Sequence, residues 1–241
     1  MMKRSGLVTV AAGAVLAMLA STGEAAFLVQ IDTDGADDGV VTFNDNFTFG
    51  GDTTTASQSA PSVAPLLPEG DSIFGGDGVN SPDTYVYRYD PSSDADNLVT
   101  TGVELGVDLA GNPVFGTGLT GGAAGPYRVY AAWPETDNVS GGDTSYLVES
   151  GANQFTAVLD QNAANDLDED GADVWVLLGT IDYDGSSGII VTQTPDSSTF
   201  VSMRASAVLF EPVPEPTTAA LLAGLGGVLL TRRARSRSAR A

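Results

Sequence analysis

The sequence contains no histidine and no cysteine in its 241 residues. Histidine is the commonest general base and metal ligand in proteins, so its absence excludes Ser-His-Asp triads and zinc hydrolase sites in their usual forms. The absence of cysteine excludes disulfide bridges and thiol nucleophiles. Together the two absences favour a non-enzymatic protein.

Basic residues are also scarce. The chain has 10 Lys and Arg against 31 Asp and Glu, for a net charge of −21. Residues 26–211 keep only Arg88, Arg128 and Arg204 against 29 acidic residues, a formal charge of −26. Such a surface repels phosphate, which excludes a nucleic acid partner. It is typical of a solvated or salt-adapted face, and it also attracts divalent cations.

Apolar runs of spanning length are absent, but a shorter run stands near each terminus. Lys3 and Arg4 precede an apolar stretch at residues 7–20, and small residues follow up to Ala26. This order is typical of a secretory signal peptide, which we place at residues 1–25. Signal peptidase is the partner that this segment implies, and the chain is predicted to be exported.

The second run lies at residues 219–230, between a Pro-Glu-Pro motif and a basic cluster. A helix that spans a bilayer needs about 20 apolar residues, so this run is too short for a lasting anchor. Basic flanks stay cytoplasmic, which leaves the preceding domain outside. The motif residues are Pro214, Glu215 and Pro216, and the cluster contains Arg232, Arg233 and Arg235.

This tripartite tail, residues 212–241, resembles a PEP-CTERM sorting signal. The resemblance implies processing by an exosortase, a membrane enzyme of bacteria that make extracellular polysaccharide. It implies a short hydrophobic helix that holds the chain transiently at the inner membrane. The product would then reach the cell envelope, the surface or the extracellular matrix.

Between the two signals, residues 26–211 show short β-branched and aromatic runs separated by Gly, Asp, Asn, Ser and Pro. This pattern predicts one all-β domain, a jelly-roll-like β-sandwich. Residues 85–89 alternate with a period of two, which places three tyrosines on one face, either packed or available to a ligand. Residues 50–79 are rich in Pro and polar residues and are expected to be the least regular part.

The second half carries a recognisable series of strand motifs. Tyr-x-Val-Tyr-x-x-Trp at 127–133 is followed by Val-Trp-Val-x-Leu-Gly at 174–179, Ile-Val-Thr at 190–192 and Ala-Ser-Ala-Val-Leu-Phe at 205–210. The series resembles the golvesin C-terminal or xanthan-lyase carbohydrate-binding-like domain, with Ser206 where that family has Asp. The resemblance implies a jelly-roll-like sandwich, accessory to polysaccharide-associated surface proteins and without chemistry of its own.

Aromatic rings are the usual platforms for sugars, because a ring face stacks on the apolar face of a pyranose. Trp133 and Tyr130 are the candidate glycan contacts on the 127–133 strand, and packing at the core or rim is the alternative for Trp133. Trp175 lies in a nearly continuous apolar run and is predicted to belong to the core.

A metal site is the other candidate. Asp166, Asp168 and Asp170 place oxygens at alternate positions, Gly171 follows, and Asp173 adds a further carboxylate. This matches the first half of a calcium loop, but an EF-hand needs an acidic residue where the chain has Leu177. Calcium is therefore the one cofactor that the sequence suggests, and a solvated acidic hairpin is the alternative.

We therefore expect an exported, non-enzymatic β-sandwich protein of the cell surface or extracellular matrix. One alternative is a carbohydrate-binding module that recognises an extracellular polysaccharide. The other is a secreted polysaccharide-active enzyme that uses a pair of carboxylates.

Overall fold

The computed structural model describes residues 26–31, 44–51, 57–62, 64, 66, 70–77, 83–96, 101–134, 143–161, 174–196 and 200–214. These residues form fourteen strands and no helix, which confirms the all-β prediction. The strands are β1 Phe27–Gln30, β2 Phe47–Gly50, β3 Ser57–Ser62, β4 Gly70–Asp77, β5 Thr84–Tyr89, β6 Glu104–Asp108, β7 Pro113–Phe115, β8 Gly125–Ala132, β9 Thr144–Ser150, β10 Asn153–Leu159, β11 Trp175–Tyr183, β12 Ile189–Pro195, β13 Phe200–Ala205 and β14 Ala207–Pro212. Within this described part, no helix has the length and apolar character needed to cross a membrane.

Six strands form the first sheet, in the order β1-β14-β8-β11-β6-β7. Neighbours are antiparallel except β6 and β11, which run parallel. Gly106 of β6 stands opposite Trp175, where an added Cβ would lie 1.9 Å from the Trp175 carbonyl oxygen. Only glycine permits this close approach of the two backbones.

Five strands form the second sheet, in the order β10-β9-β12-β5-β2, and all neighbours are antiparallel. Along β5, the three tyrosines at 85, 87 and 89 are buried, whereas Arg88 is exposed on the opposite face. The period of two therefore divides β5 into a core face and a solvent face. β9 and β10 form a hairpin, with Gly151 at φ +58° in its turn.

The main core lies between these two sheets, and the sandwich prediction is confirmed. Phe27 of β1 stacks on Tyr89 of β5 with ring centroids 4.4 Å apart, and Tyr89 contacts Phe210 of β14 at 5.2 Å. Such pairs contribute about 0.5–1.5 kcal/mol each beyond their buried area. The tyrosines of β5 are thus a packed sheet face and not an exposed row of rings.

The first sheet is apolar on its other face as well. Trp175, Leu209 and Leu28 form a second buried cluster there, together with Leu105 and Val114 of the β6–β7 hairpin. The prediction that Trp175 belongs to the core is confirmed, since its side chain is fully buried. Burial on both faces explains why β11 and β14 read as nearly continuous apolar runs.

A third, small sheet has the order β13-β4-β3. It corrects the expectation for residues 50–79, because β3 and β4 lie in that range and are joined by backbone hydrogen bonds that need no apolar pattern. It also corrects the reading of the 205–210 motif as one strand. The chain leaves the third sheet at Ala205 and enters the first at Ala207, and the Ser206 carbonyl between them accepts the N–H of Ile31 at 2.7 Å.

Candidate functional site

The domain leads directly into the predicted sorting tail. Pro212 ends β14, yet the Val213 N–H still donates to the Pro126 carbonyl at 2.9 Å. The Thr117 hydroxyl donates to the Pro212 carbonyl at 2.6 Å. Pro214 follows and is exposed. The other predicted tail residues lie outside the described residues, namely Glu215, Pro216, Arg232, Arg233 and Arg235.

Tyr130 lies inside the domain beside a buried acid. Its hydroxyl donates to Glu211 Oε2 at 3.0 Å, and both side chains are fully buried. Burial, followed by the Glu211 carboxylate, raises the pKa of the Tyr130 phenol, so this hydroxyl keeps its proton and donates. Glu211 also accepts the Thr117 N–H and lies 3.5 Å from Arg128, whose side chain is 29% exposed. The Tyr130 ring therefore serves packing and hydrogen bonding, and it has no free face for a sugar.

Trp133 is likewise inside, at 2% exposure in the main core. Its position matches the packing alternative, because a ring enclosed by core side chains cannot stack on a ligand. An exposed ring that sequence reasoning passed over is Phe115, at 54% exposure on β7. A phenylalanine in a three-residue edge strand carries no sequence signal that separates it from the buried phenylalanines.

The calcium candidate falls outside the structure's described part, since Asp166, Asp168, Asp170 and Asp173 all lie in residues 162–173. Among the residues that are described, no group of three or more acidic side chains could hold a metal ion. Calcium binding at 166–173 stays a prediction.

The described residues form an open cleft of about 320 Å³ that is lined by several polar side chains. It lies where the β5 end meets the turn before β2 and the turn between β11 and β12. The residues that line it are Asn46, Arg88, Tyr89, Asp90, Asp94, Ser186, Ser187, Gly188, Ile189 and Ile190. The strand order β12-β5-β2 brings these three distant segments together.

Hydrogen bonds hold the first wall of this Arg88 cleft in place. Asn46 Nδ2 donates to Asp94 Oδ2 at 2.9 Å, and the Asp90 N–H donates to the same oxygen at 2.8 Å. The Arg88 N–H donates to the Asn46 carbonyl at 2.8 Å. Hydrogen bonds from Ser92 lower the pKa of Asp90, so this acid is ionised at neutral pH.

The second wall is a tight turn organised by Asp184. Its carboxylate accepts the N–H groups of Ser186 and Ser187, each at 2.8 Å, and the Ser187 hydroxyl at 2.7 Å. These hydrogen bonds lower the pKa of Asp184 to about 2, and the bonds from Ser187 have the largest effect. Gly188 has φ +68°, and an added Cβ would lie 3.1 Å from the Tyr89 carbonyl oxygen, so glycine keeps this wall close to β5.

Sequence reasoning did not find the cleft. Asp94 lies 48 positions after Asn46 in the chain, and Asn46, Arg88 and Asp94 share no spacing motif. Their meeting depends on the pairing of β5 with both β2 and β12, which no local pattern specifies.

No protein-family model and no curated protein matches this chain. Solved structures with a distant likeness include the following two. TmCBM61 in complex with beta-1,4-galactotriose is 13% identical, with a TM-score of 0.37, over 70% of this chain and 90% of that one. Xanthan lyase of Paenibacillus is 17% identical, with a TM-score of 0.37, over 73% of this chain and 14% of that one, so the match spans a small part of the lyase. Likenesses this distant carry no argument about a ligand.

Proposed function

We propose that this protein is an exported, non-enzymatic β-sandwich of the cell surface or extracellular matrix, sorted through its tail by an exosortase. The observation that carries the proposal is the order of Pro-Glu-Pro motif, short apolar segment and Arg cluster, which resembles a PEP-CTERM signal. Among the described residues, Val213 is the last one hydrogen-bonded to β8, and it lies at the start of the proposed signal, residues 212–241.

The spacing between the domain and the apolar segment supports this sorting role. Five chain steps lead from Pro214 to the start of the segment at residue 219. At about 3.3–3.6 Å per residue, they span at most ~18 Å. The domain is therefore held at the membrane surface until the tail is processed, which is where a membrane enzyme acts.

Replacement of the motif tests this proposal in the producing cell. The triple variant Pro214→Ala, Glu215→Ala, Pro216→Ala is expected to leave a full-length precursor in the membrane fraction, detected by immunoblot. Pro113→Ala is the matched control, since Pro113 is exposed on β7 and far from the tail in sequence. Release of the triple variant at the control's rate and size would refute the sorting role.

A non-enzymatic role is supported by residue chemistry. The chain has neither histidine nor cysteine. The low pKa values of Asp90 and Asp184 come from hydrogen bonds that organise turns, and an acid kept ionised in this way cannot act as a general acid. If the protein were a polysaccharide-active enzyme, it would turn over a polysaccharide, and the substitution of one carboxylate would abolish that turnover.

Glycan binding is the second candidate function, and the open polar cleft at Arg88 is the observation that favours it. The resemblance to golvesin and xanthan-lyase accessory domains agrees with a role beside polysaccharide. Binding of the purified protein to an array of extracellular polysaccharides tests it, and a blank array would favour a purely structural role.

A further inference from the structure

Arg88 differs from the other two arginines of the described residues. Arg128 lies beside Glu211, and Arg204 donates to buried backbone carbonyls. The Arg88 side chain is exposed in the cleft, and within the described part of the chain it forms no ion pair. Its guanidinium offers five N–H donors in a fixed planar arrangement. In a domain with so few cations, these donors are available to a ligand.

The cleft also contains acceptors that the described residues leave unused. Asp94 Oδ2 accepts hydrogen bonds from the Asn46 amide and the Asp90 N–H, whereas Asp94 Oδ1 accepts no hydrogen bond from any described residue. Asn46 donates through Nδ2, which leaves its own Oδ1 as an acceptor. The hydrogen bonds to Asp94 Oδ2 and from Asn46 Nδ2 hold these two side chains in place, so they also fix the direction of the Oδ1 atom of each. Two oriented acceptors therefore lie in the same cleft that Arg88 lines.

The charges of the cleft select the kind of ligand. The cleft is lined by one arginine and by the two acids Asp90 and Asp94, so it is net negative and disfavours an anion such as a uronate. Arg88 in turn disfavours a bare metal cation. A neutral group with both hydrogen-bond donors and acceptors satisfies all of these atoms, and the hydroxyl group is such a group.

We propose that this cleft binds hydroxyl groups of a neutral sugar residue, with Arg88 as donor and Asp94 and Asn46 as acceptors. The inference rests on the glycan-binding function proposed above and names its site and ligand class. A volume of about 320 Å³ is at the small end of ligand pockets, which suits one or two sugar units. Ile190, opposite Arg88 in the β5–β12 ladder, supplies an apolar surface for the sugar C–H groups.

The test uses the full chain, purified in mild detergent, on an array of neutral hexose oligosaccharides and uronic-acid oligosaccharides. We expect binding to neutral oligosaccharides and weak or no binding to uronates. Arg88→Ala is expected to weaken neutral binding about tenfold or more, because hydrogen bonds to charged groups contribute more than neutral ones. Gln154→Ala is the matched control, since Gln154 is exposed on β10 of the same sheet, outside the cleft.

The outcomes separate the cleft from the broader function. If the protein binds a neutral glycan and Arg88→Ala binds it equally, with an unchanged melting temperature, the cleft is not the site although glycan binding stands. Preference for uronates would overturn the charge argument. Binding to no glycan at all would remove glycan binding and, with it, the cleft proposal. Loss of neutral binding in Arg88→Ala but not in Gln154→Ala supports the proposal.

Discussion

Arg204 offers the sharpest test of how this sandwich is held together. It is 1% exposed on β13 and donates from Nη1 to the Pro134 carbonyl at 2.7 Å. Its Nη2 donates to the Gln161 carbonyl. Pro134 lies just beyond β8 of the first sheet and Gln161 just beyond β10 of the second, so this one side chain joins the third sheet to both layers.

The cost of removing the guanidinium follows from the groups left behind. Arg204→Met keeps most of the apolar stem but leaves two carbonyls, those of Pro134 and Gln161, without this donor. An unsatisfied buried polar group costs about 1–3 kcal/mol, so the substitution should lower the free energy of unfolding by about 2–6 kcal/mol. Relief of the buried charge offsets part of this, which places the expected loss at the lower end. Arg204→Ala should cost about 2 kcal/mol more, because it also removes buried methylenes.

Urea denaturation followed by tryptophan fluorescence measures the effect, because Trp133 and Trp175 are both buried. A loss of about 3 kcal/mol corresponds to a fall in Tm of about 6–12 °C for a domain of this size. Arg88→Met is the control and should stay within about 0.5 kcal/mol of the natural protein, since Arg88 is exposed. If Arg204→Met were equally harmless, the carbonyls would have other partners and the reasoning would fail.

Three further predictions concern backbone, pH and metal. Gly106→Ala should unfold or strongly destabilise the domain, because its Cβ would lie 1.9 Å from the Trp175 carbonyl oxygen. Gly111→Ala, at φ +78° with open space around it, should cost only about 1–2 kcal/mol; equal Tm values would contradict the steric argument. Asp184 has a lowered pKa of about 2, so its contribution to the free energy of unfolding is complete above about pH 4 and is lost towards pH 2. Asp184→Asn should therefore flatten the fall in stability that acid titration measures between about pH 4 and pH 2. Millimolar calcium should raise the Tm, and Asp168→Asn should abolish that rise, whereas an unchanged Tm of the natural protein would favour the solvated hairpin.

Strands with a regular pattern could be predicted from the sequence. β5 and β9 alternate buried and partly exposed residues along their length, and β11 is apolar because it is covered on both faces. These patterns are local, since successive side chains in a strand point to opposite faces whatever the partner strand is. β3 and β4 were missed because Ser- and Gly-rich segments pair through backbone groups, which carry no side-chain signal.

The order of strands in the sheets could not be predicted in the same way. The break at Ser206 sends β13 and β14 into different sheets, and β6 pairs in parallel with β11 although about seventy residues separate them. Trp133 and Tyr130 became interior residues for the same reason, since both faces of the first sheet are covered by other parts of the chain. A strand's own residues do not encode what covers it.

Residue order alone therefore determined the all-β class and the strand character of the second half, and the export and sorting proposals rest on residue order as well. The tertiary structure alone decided which rings are accessible and where polar groups converge. Asn46, Arg88 and Asp94 share a cleft only because β5 lies between β2 and β12. The physical reason is that side-chain alternation is a local property of the chain, whereas a binding site is made by contacts between segments that only long-range pairing brings together.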